Sequence, residues 1–268
     1  MTDTKLGVGE FVSHILDLAA TDSARAWLTL AFDLTDDEIA DVPASGDLVT
    51  ACHHGLGHVD TGRVSGRWPG VVGARYADWL VLPVHGTSVH RLLISRQDVT
   101  VEPSDGYAGL GGAGIADITV SELAVDRAHV LGPAPPDGAV LAAAGAAAAV
   151  VGSADGLWHR YVERLRAQLA SSSDAITDAE AAQLACAESD IDAARLQITD
   201  LLTPGDVDAA VSTCRQVVAR ARAAADQLLE HSRHALDASH PVTLRWREVD
   251  LGSRLAVRVL DGLSPQLG

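Results

Sequence analysis

Lysine is almost absent: Lys5 is the only one in 268 residues. Schiff-base chemistry needs a lysine amine held in an apolar pocket, so it has little to draw on, and a P-loop of the usual GK[ST] form is excluded. Positive charge of any kind is scarce. The 20 basic residues face 36 Asp and Glu, a formal net charge of −16, and residues 1–60 carry eleven acidic side chains against Lys5 and Arg25. Such a surface repels phosphate backbones and anionic lipid, so neither nucleic acid nor membrane is expected as a partner. Aromatic residues make up only 4% of the chain. With alanine abundant, close helix packing through small side chains is expected rather than a core built on rings. Cysteine is limited to Cys52, Cys186 and Cys214, without CxxC spacing, which suits a reducing compartment. The opening MTDTKLGVGEF lacks a basic region followed by an apolar run, and AVLAAAGAAAAVVG at 139–152 is short for a bilayer span. The expectation is a cytoplasmic protein.

What is present falls into three textures. Residues 1–46 read as one or two short helices, FVSHILDLAA and SARAWLTLAF, followed by the acidic stretch LTDDEIADVPASGD; this segment is small for a unit of its own. Residues 47–135 contain short runs rich in Val, Leu, Ile and Thr, punctuated by Gly, Pro and Asp, which predict a small barrel or sandwich. GYAGLGGAGIAD has the glycines of a nucleotide fingerprint, yet no helix pattern follows it, so a loop within the β region is expected. From 136 to 268 the period becomes helical. A first long helix runs through the alanine tract to about Ser171. A second starts at Thr177 with Glu180 in capping-box spacing, its apolar positions stepping from Leu184 through Ala187, Ile191, Ala194 and Ile198 to Leu201. A third steps from Val207 to Leu228, and a fourth, after Pro241, aligns Trp246, Val249, Ser253, Ala256 and Leu260. Four such stripes with short connections predict an antiparallel four-helix bundle. The fold class is therefore α+β: a short helical start, a β middle and a bundle.

This order, together with three segments, resembles the acyl-CoA dehydrogenase superfamily. GRWPGVVGARYADWLVLP (66–83) is similar to the strand, turn and strand that lie along the flavin ring, with some texture of the flavin-dependent monooxygenase branch. DITVSELAVDRAHVLG (117–132) is similar to the family's exit from its β domain. SHPVTLRWREVDLGSRLAV (239–257) is similar to the last helix, which helps form the flavin site. The resemblance spans about residues 15–262. It implies an FAD cofactor, with FMN left open, and an oxidoreductase acting on an acyl thioester or related carbonyl compound.

The same resemblance implies the site residues. Trp68 would offer a ring face to the flavin, Gly73 a backbone donor beside its polar edge, and Arg247 a grip on a phosphate or ribityl group. Val72 stands where the family's flavin-ring turn has Ser or Thr. The residues themselves leave alternatives: Trp68 and Trp79 also suit the core of a small barrel, and Arg247 with Glu248 suits a pair tying the last helix to its neighbours. The family's N-terminal helical domain is largely lacking here, Leu255 stands at the histidine of the monooxygenase branch, and no residue is identified as the catalytic base. Glu163 and Glu230 read as solvated helix positions. No metal is expected; His53, His54 and His58 form HHxxxH, but adjacent strand residues point to opposite faces. Two alternatives therefore stand beside the enzyme: a non-catalytic or half-site subunit completing the flavin and substrate pocket of a full-length homologous partner, or a scaffold repurposed for non-redox binding. Pairing through the bundle, as a homo-oligomer or with a homologous subunit, is expected to give at least a dimer.

Overall fold

The computed structural model describes residues 8–33, 39, 46–85, 90–125, 128–132, 135–171, 175–200, 206–230 and 237–264. Most of the acidic stretch, and Pro204 with Gly205, lie outside the described residues. Two helices come first, α1 (Val8–Thr21) and α2 (Ser23–Asp33). Asp22 separates them and caps the second, its carboxylate accepting from Arg25 N at 3.0 Å.

Among the described residues, eight strands follow as two four-stranded sheets. One sheet has the order β1 (Val49–Ala51), β4 (Trp79–Val84), β5 (His90–Ser95), β8 (His129–Leu131), with β1 parallel to β4 and the other pairs antiparallel. The other is wholly antiparallel in the order β2 (Leu56–Asp60), β3 (Arg63–Val71), β7 (Ala116–Ala124), β6 (Thr100–Pro103). A parallel bridge from His58 to His85 links the two sheets. The alternation seen in the sequence places Val64, Trp68 and Val71 of β3, Leu80 and Leu82 of β4, Leu92 and Ile94 of β5 and Ile118 of β7 in one core. The Gly-rich segment forms short 3-10 turns over Asp105–Ala113 and leads into β7 through Gly114 at φ 58°.

The bundle consists of α3 (Pro136–Ser171), α4 (Asp178–Asp200), α5 (Val207–Glu230) and α6 (Pro241–Leu263). The start of α4 carries the capping box in full: Thr177 N donates to Glu180 Oε2 at 2.9 Å, and Glu180 N to Thr177 Oγ1 at 3.2 Å. The stripes predicted for α4, α5 and α6 are buried at Ala187, Ile191, Ala194, Ile198, Val211, Cys214, Val249, Ala256 and Leu260. Leu184 is partly buried, and Leu201 lies outside the described residues.

The helix α3 is the centre of the molecule. It packs against α1, α2, α4, α5 and α6, so its first half is buried on every side. A Cβ at Gly152 would stand 2.2 Å from the carbonyl oxygen of Leu16, and one at Gly156 2.2 Å from that of Ala20. Those two glycines let α1 lie directly on the α3 backbone, and the two helices share one apolar core with the rest of the bundle. By length and composition α3 could cross a bilayer, but 89% of its most apolar window is buried inside the molecule. Its apolarity is that of a central core helix.

Candidate functional site

The sandwich meets the helices through the β1–β2 connection, the end of β3 and the C-terminal half of α6, and also where β1 and the Asp105–Ala113 turns pack on α2 and those turns on α6. The approach is closest at Gly262, where an added Cβ would lie 1.4 Å from the His53 carbonyl oxygen. Only glycine permits α6 to rest on that connection. Two clefts flank the contact.

The first is apolar, walled by Trp27 and Leu30 of α2, His53, Val72, Ala142 of α3 and Val259 of α6. Among the described residues its lining has no carboxylate and His53 is its only titratable group; burial, reinforced by the neighbouring His54 and Arg91 charges, brings the imidazole pKa down to about 4. The indole Nε1 of Trp27 is buried without a hydrogen-bond partner and lies against Gly252 of α6. The cleft holds about 40 Å³, room for a few water molecules.

The second cleft is polar and roomier, about 180 Å³, bounded by Pro69, Ser104, Tyr107, Asp117, Arg254 and Arg258. Arg258 donates through NH1 to Tyr107 OH at 2.5 Å and to Pro69 O at 3.3 Å, with its guanidinium 5.7 Å from the Tyr107 ring centroid. Burial raises the Tyr107 pKa, so the phenol stays protonated. Arg254, one turn before Arg258, pairs with Asp250 at 2.6 Å. Burial opposes ionisation of Asp117, but hydrogen bonds from Gly70 N, Ser104 and Arg67 outweigh it and hold its pKa below the usual carboxylate value. At the base of the contact, Cys52 Sγ donates to His54 O at 2.9 Å, and burial pushes the thiol pKa up to about 12.

The residues expected at a flavin are distributed differently. Trp68 is fully buried within the sandwich core, its Nε1 donating to Pro83 O at 3.0 Å. Gly55 and Gly57 press on its ring so closely that a Cβ at either would approach it to 2.2 or 2.3 Å. No face of this indole is open to a ligand, because the two glycines of the adjacent segment exist to accommodate it. Gly73 has the expected left-handed backbone at φ 74°, but its N–H is bound to Ala113 O at 2.9 Å and Phe32 covers its open side. Val72 does line the apolar cleft, and its carbonyl accepts from Thr50 Oγ1 at 2.7 Å. Arg247 lies away from both clefts, at the Gly109 turn, with NH1 3.4 Å from Ala238 O. Eleven residues of helix, about 16 Å, separate it from Arg258.

Glu248 bonds to Arg245 and to Ser23 of α2, each at 2.7 Å, and so ties α6 to its neighbours without Arg247. Leu255 is buried, while Glu163 and Glu230 are exposed. His58 is exposed, whereas His53 and His54 are partly buried at the junction. Among the described residues no three His, Cys, Asp or Glu side chains are grouped to hold a metal. Arg254, Arg258 and Tyr107 escaped the sequence reading, and His54 entered it only through the HHxxxH pattern. The four-residue step between the two arginines is visible in the sequence, but which face of α6 meets the sandwich is not.

The chemistry of the junction partly suits a flavin: an apolar slot beside an arginine-bearing cup, with Trp27 Nε1 free to donate. The volume does not suit it. Ligand pockets run from about 300 Å³ upward, and a tricyclic ring has no room in the 40 Å³ slit.

No family model and no curated protein matches the chain. Solved structures do. XiaF from Streptomyces sp., in complex with FADH2 and glycerol, superposes with a TM-score of 0.73 at 17% identity, over 98% of this chain and 84% of that one. The ChsE4–ChsE5 complex from Mycobacterium tuberculosis gives 0.73 at 16%, over 97% and 79%. An acyl-CoA dehydrogenase from Geobacillus kaustophilus gives 0.69 at 11%, over 94% and 81%. At such identities the likeness is one of fold. Helical pair, paired sheets and four-helix bundle, in that chain order, give this protein the acyl-CoA dehydrogenase-like fold.

Proposed function

We propose that the chain is a non-catalytic subunit of an acyl-CoA dehydrogenase-like flavoprotein, completing the flavin and acyl-substrate pocket of a longer homologous partner. The observation that carries this reading is the closure of its own junction. Trp68 is sealed, the Gly73 donor is occupied, and the apolar slit is far smaller than a flavin ring. Among the described residues the lining of the slit also lacks a carboxylate to accept an α proton from an acyl thioester, and His53 holds a second proton too weakly to serve as a strong base. The complex of ChsE4 with ChsE5 provides a precedent in this fold for assembly from two different chains. A flavin bound by such an assembly supplies the hydride-accepting chemistry; this chain contributes walls, backbone carbonyls and arginines.

The test is the visible spectrum. Purified alone, the chain is expected to be colourless. Coexpressed with a longer homologue, it is expected to copurify in a yellow complex, which light scattering resolves as at least a dimer. A flavin-loaded protein when purified alone overturns the proposal in favour of a self-sufficient oxidoreductase acting on an acyl thioester or related carbonyl compound. A chain that stays alone and colourless but binds a small molecule tightly overturns it in favour of a repurposed scaffold.

A further inference from the structure

One carbonyl gathers the groups of the polar cup. Pro69 O accepts His54 Nε2 at 2.6 Å and Arg258 NH1 at 3.3 Å. A carbonyl only accepts, so His54 carries its proton on Nε2 and presents a bare Nδ1. That nitrogen is 3.7 Å from the Cys52 sulfur, a thiol kept neutral by burial. The described bonds of Arg258 all run through NH1, to Pro69 and Tyr107, while a guanidinium has five N–H donors in a fixed fork. Arg254 sits one turn earlier on the same wall, and the Tyr107 oxygen, which accepts from Arg258, keeps its own proton to donate. Asp117, the one carboxylate of the cup, is already engaged by Gly70 N at 2.9 Å and by Arg67 at 3.1 Å.

From this arrangement we infer that the cup binds a tetrahedral oxyanion, as free phosphate or as the phosphoryl end of a small ester, and that its affinity is linked to a proton on His54. Two arginines and a phenol line a space large enough for the anion and its remaining water, while the Ser104 hydroxyl is engaged with Asp117. The linkage follows from charge. Burial lowers the affinity of His54 for a second proton, its bond to Pro69 partly restores it, and the Arg258 charge lowers it again. His53, itself beside Arg91, is its neighbour on the same connection. An anion seated on Arg258 cancels that repulsion, so the anion and the proton on Nδ1 favour one another reciprocally.

Sulfate is the probe, because it does not ionise between pH 6 and 7.5. The chain is expected to bind sulfate saturably, and more tightly as the pH falls across that interval, by up to about tenfold per unit. Arg254→Gln and Arg258→Gln are each expected to weaken binding about tenfold or more; Arg254 is largely exposed, so its variant keeps the fold if the other does not. His54→Gln retains an N–H donor for Pro69 without a titrating nitrogen, and is expected to bind sulfate with no pH slope. Glycerol phosphate bound more tightly than inorganic phosphate marks the ligand as an ester, and the reverse order marks it as the free anion. Absence of saturable binding, or binding unaltered in both arginine variants, overturns the site. A slope that persists in His54→Gln overturns the linkage.

Discussion

The bundle and the sandwich are joined to α1 and α6 by the same device, glycines that let backbones touch, yet the two joints differ in everything else. Where α1 lies on α3, Gly152 and Gly156 meet the Leu16 and Ala20 carbonyls amid buried alanine and valine. Where α6 meets the β1–β2 connection, Gly262 meets the His53 carbonyl among two histidines, a thiol, a phenol and two arginines. The first joint is apolar. The second is polar, leaves open space and holds two histidines whose pKa values burial lowers. One packing device thus serves an apolar joint in one place and a polar one in the other.

The comparison can be broken most severely at the apolar joint. Gly152→Val places branched atoms against the Leu16 carbonyl in mid-helix, and is expected to cost about 3 to 5 kcal/mol and to lower the melting temperature of the whole chain. Trp68→Ala tests the sealed indole: a core cavity of that size should cost about 3 to 5 kcal/mol, with colour and flavin content of a copurified partner complex unaltered if Trp68 only packs. Gly262→Ala acts at the polar joint, near the end of α6, where the last turn can shift. About 1 to 3 kcal/mol is expected, with hydrogen exchange accelerated in the sandwich and the α3 amides spared.

Acid sharpens the contrast more gently. Folded His53 titrates at about 4, and folded His54 is also lowered, whereas unfolded histidine titrates near about 6.5. In that interval the unfolded chain binds more protons, so stability is full above the upper value and falls as the pH drops toward 4, by about 1 kcal/mol per unit. Denaturant titrations at pH 7, 6 and 5 would show it, and His53→Gln should flatten the fall. Thr177→Ala, remote from both joints, removes an exposed cap and should cost about 1 kcal/mol or less at every pH.

Periodic features were legible in the sequence because they are local. The capping box at Thr177 and Glu180, the stripes of α5 and α6, and the change from alternation to helical stepping all fell where the pattern placed them. Fold class followed from their order. The junction was not legible, because its contacts join residues far apart in the chain. Trp68 shares its face of β3 with Val64, four residues earlier, which marks it as inward; what lies inward, two glycines pressed on its ring, is set by strand pairing. Arg247 occupies a familiar pattern near the start of α6, while Arg254 and Arg258 reach the sandwich from nearer its other end.

The engulfed position of α3 has a consequence for how this chain is made. Until its neighbours arrive, the apolar first half of this 36-residue helix satisfies the composition of a bilayer span. Three of the five helices that wrap it follow it in sequence, so a nascent chain released before α6 emerges would display a surface that holdases and insertion machinery recognise. Packing of α4, α5 and α6 is therefore needed to finish covering the apolar half of α3.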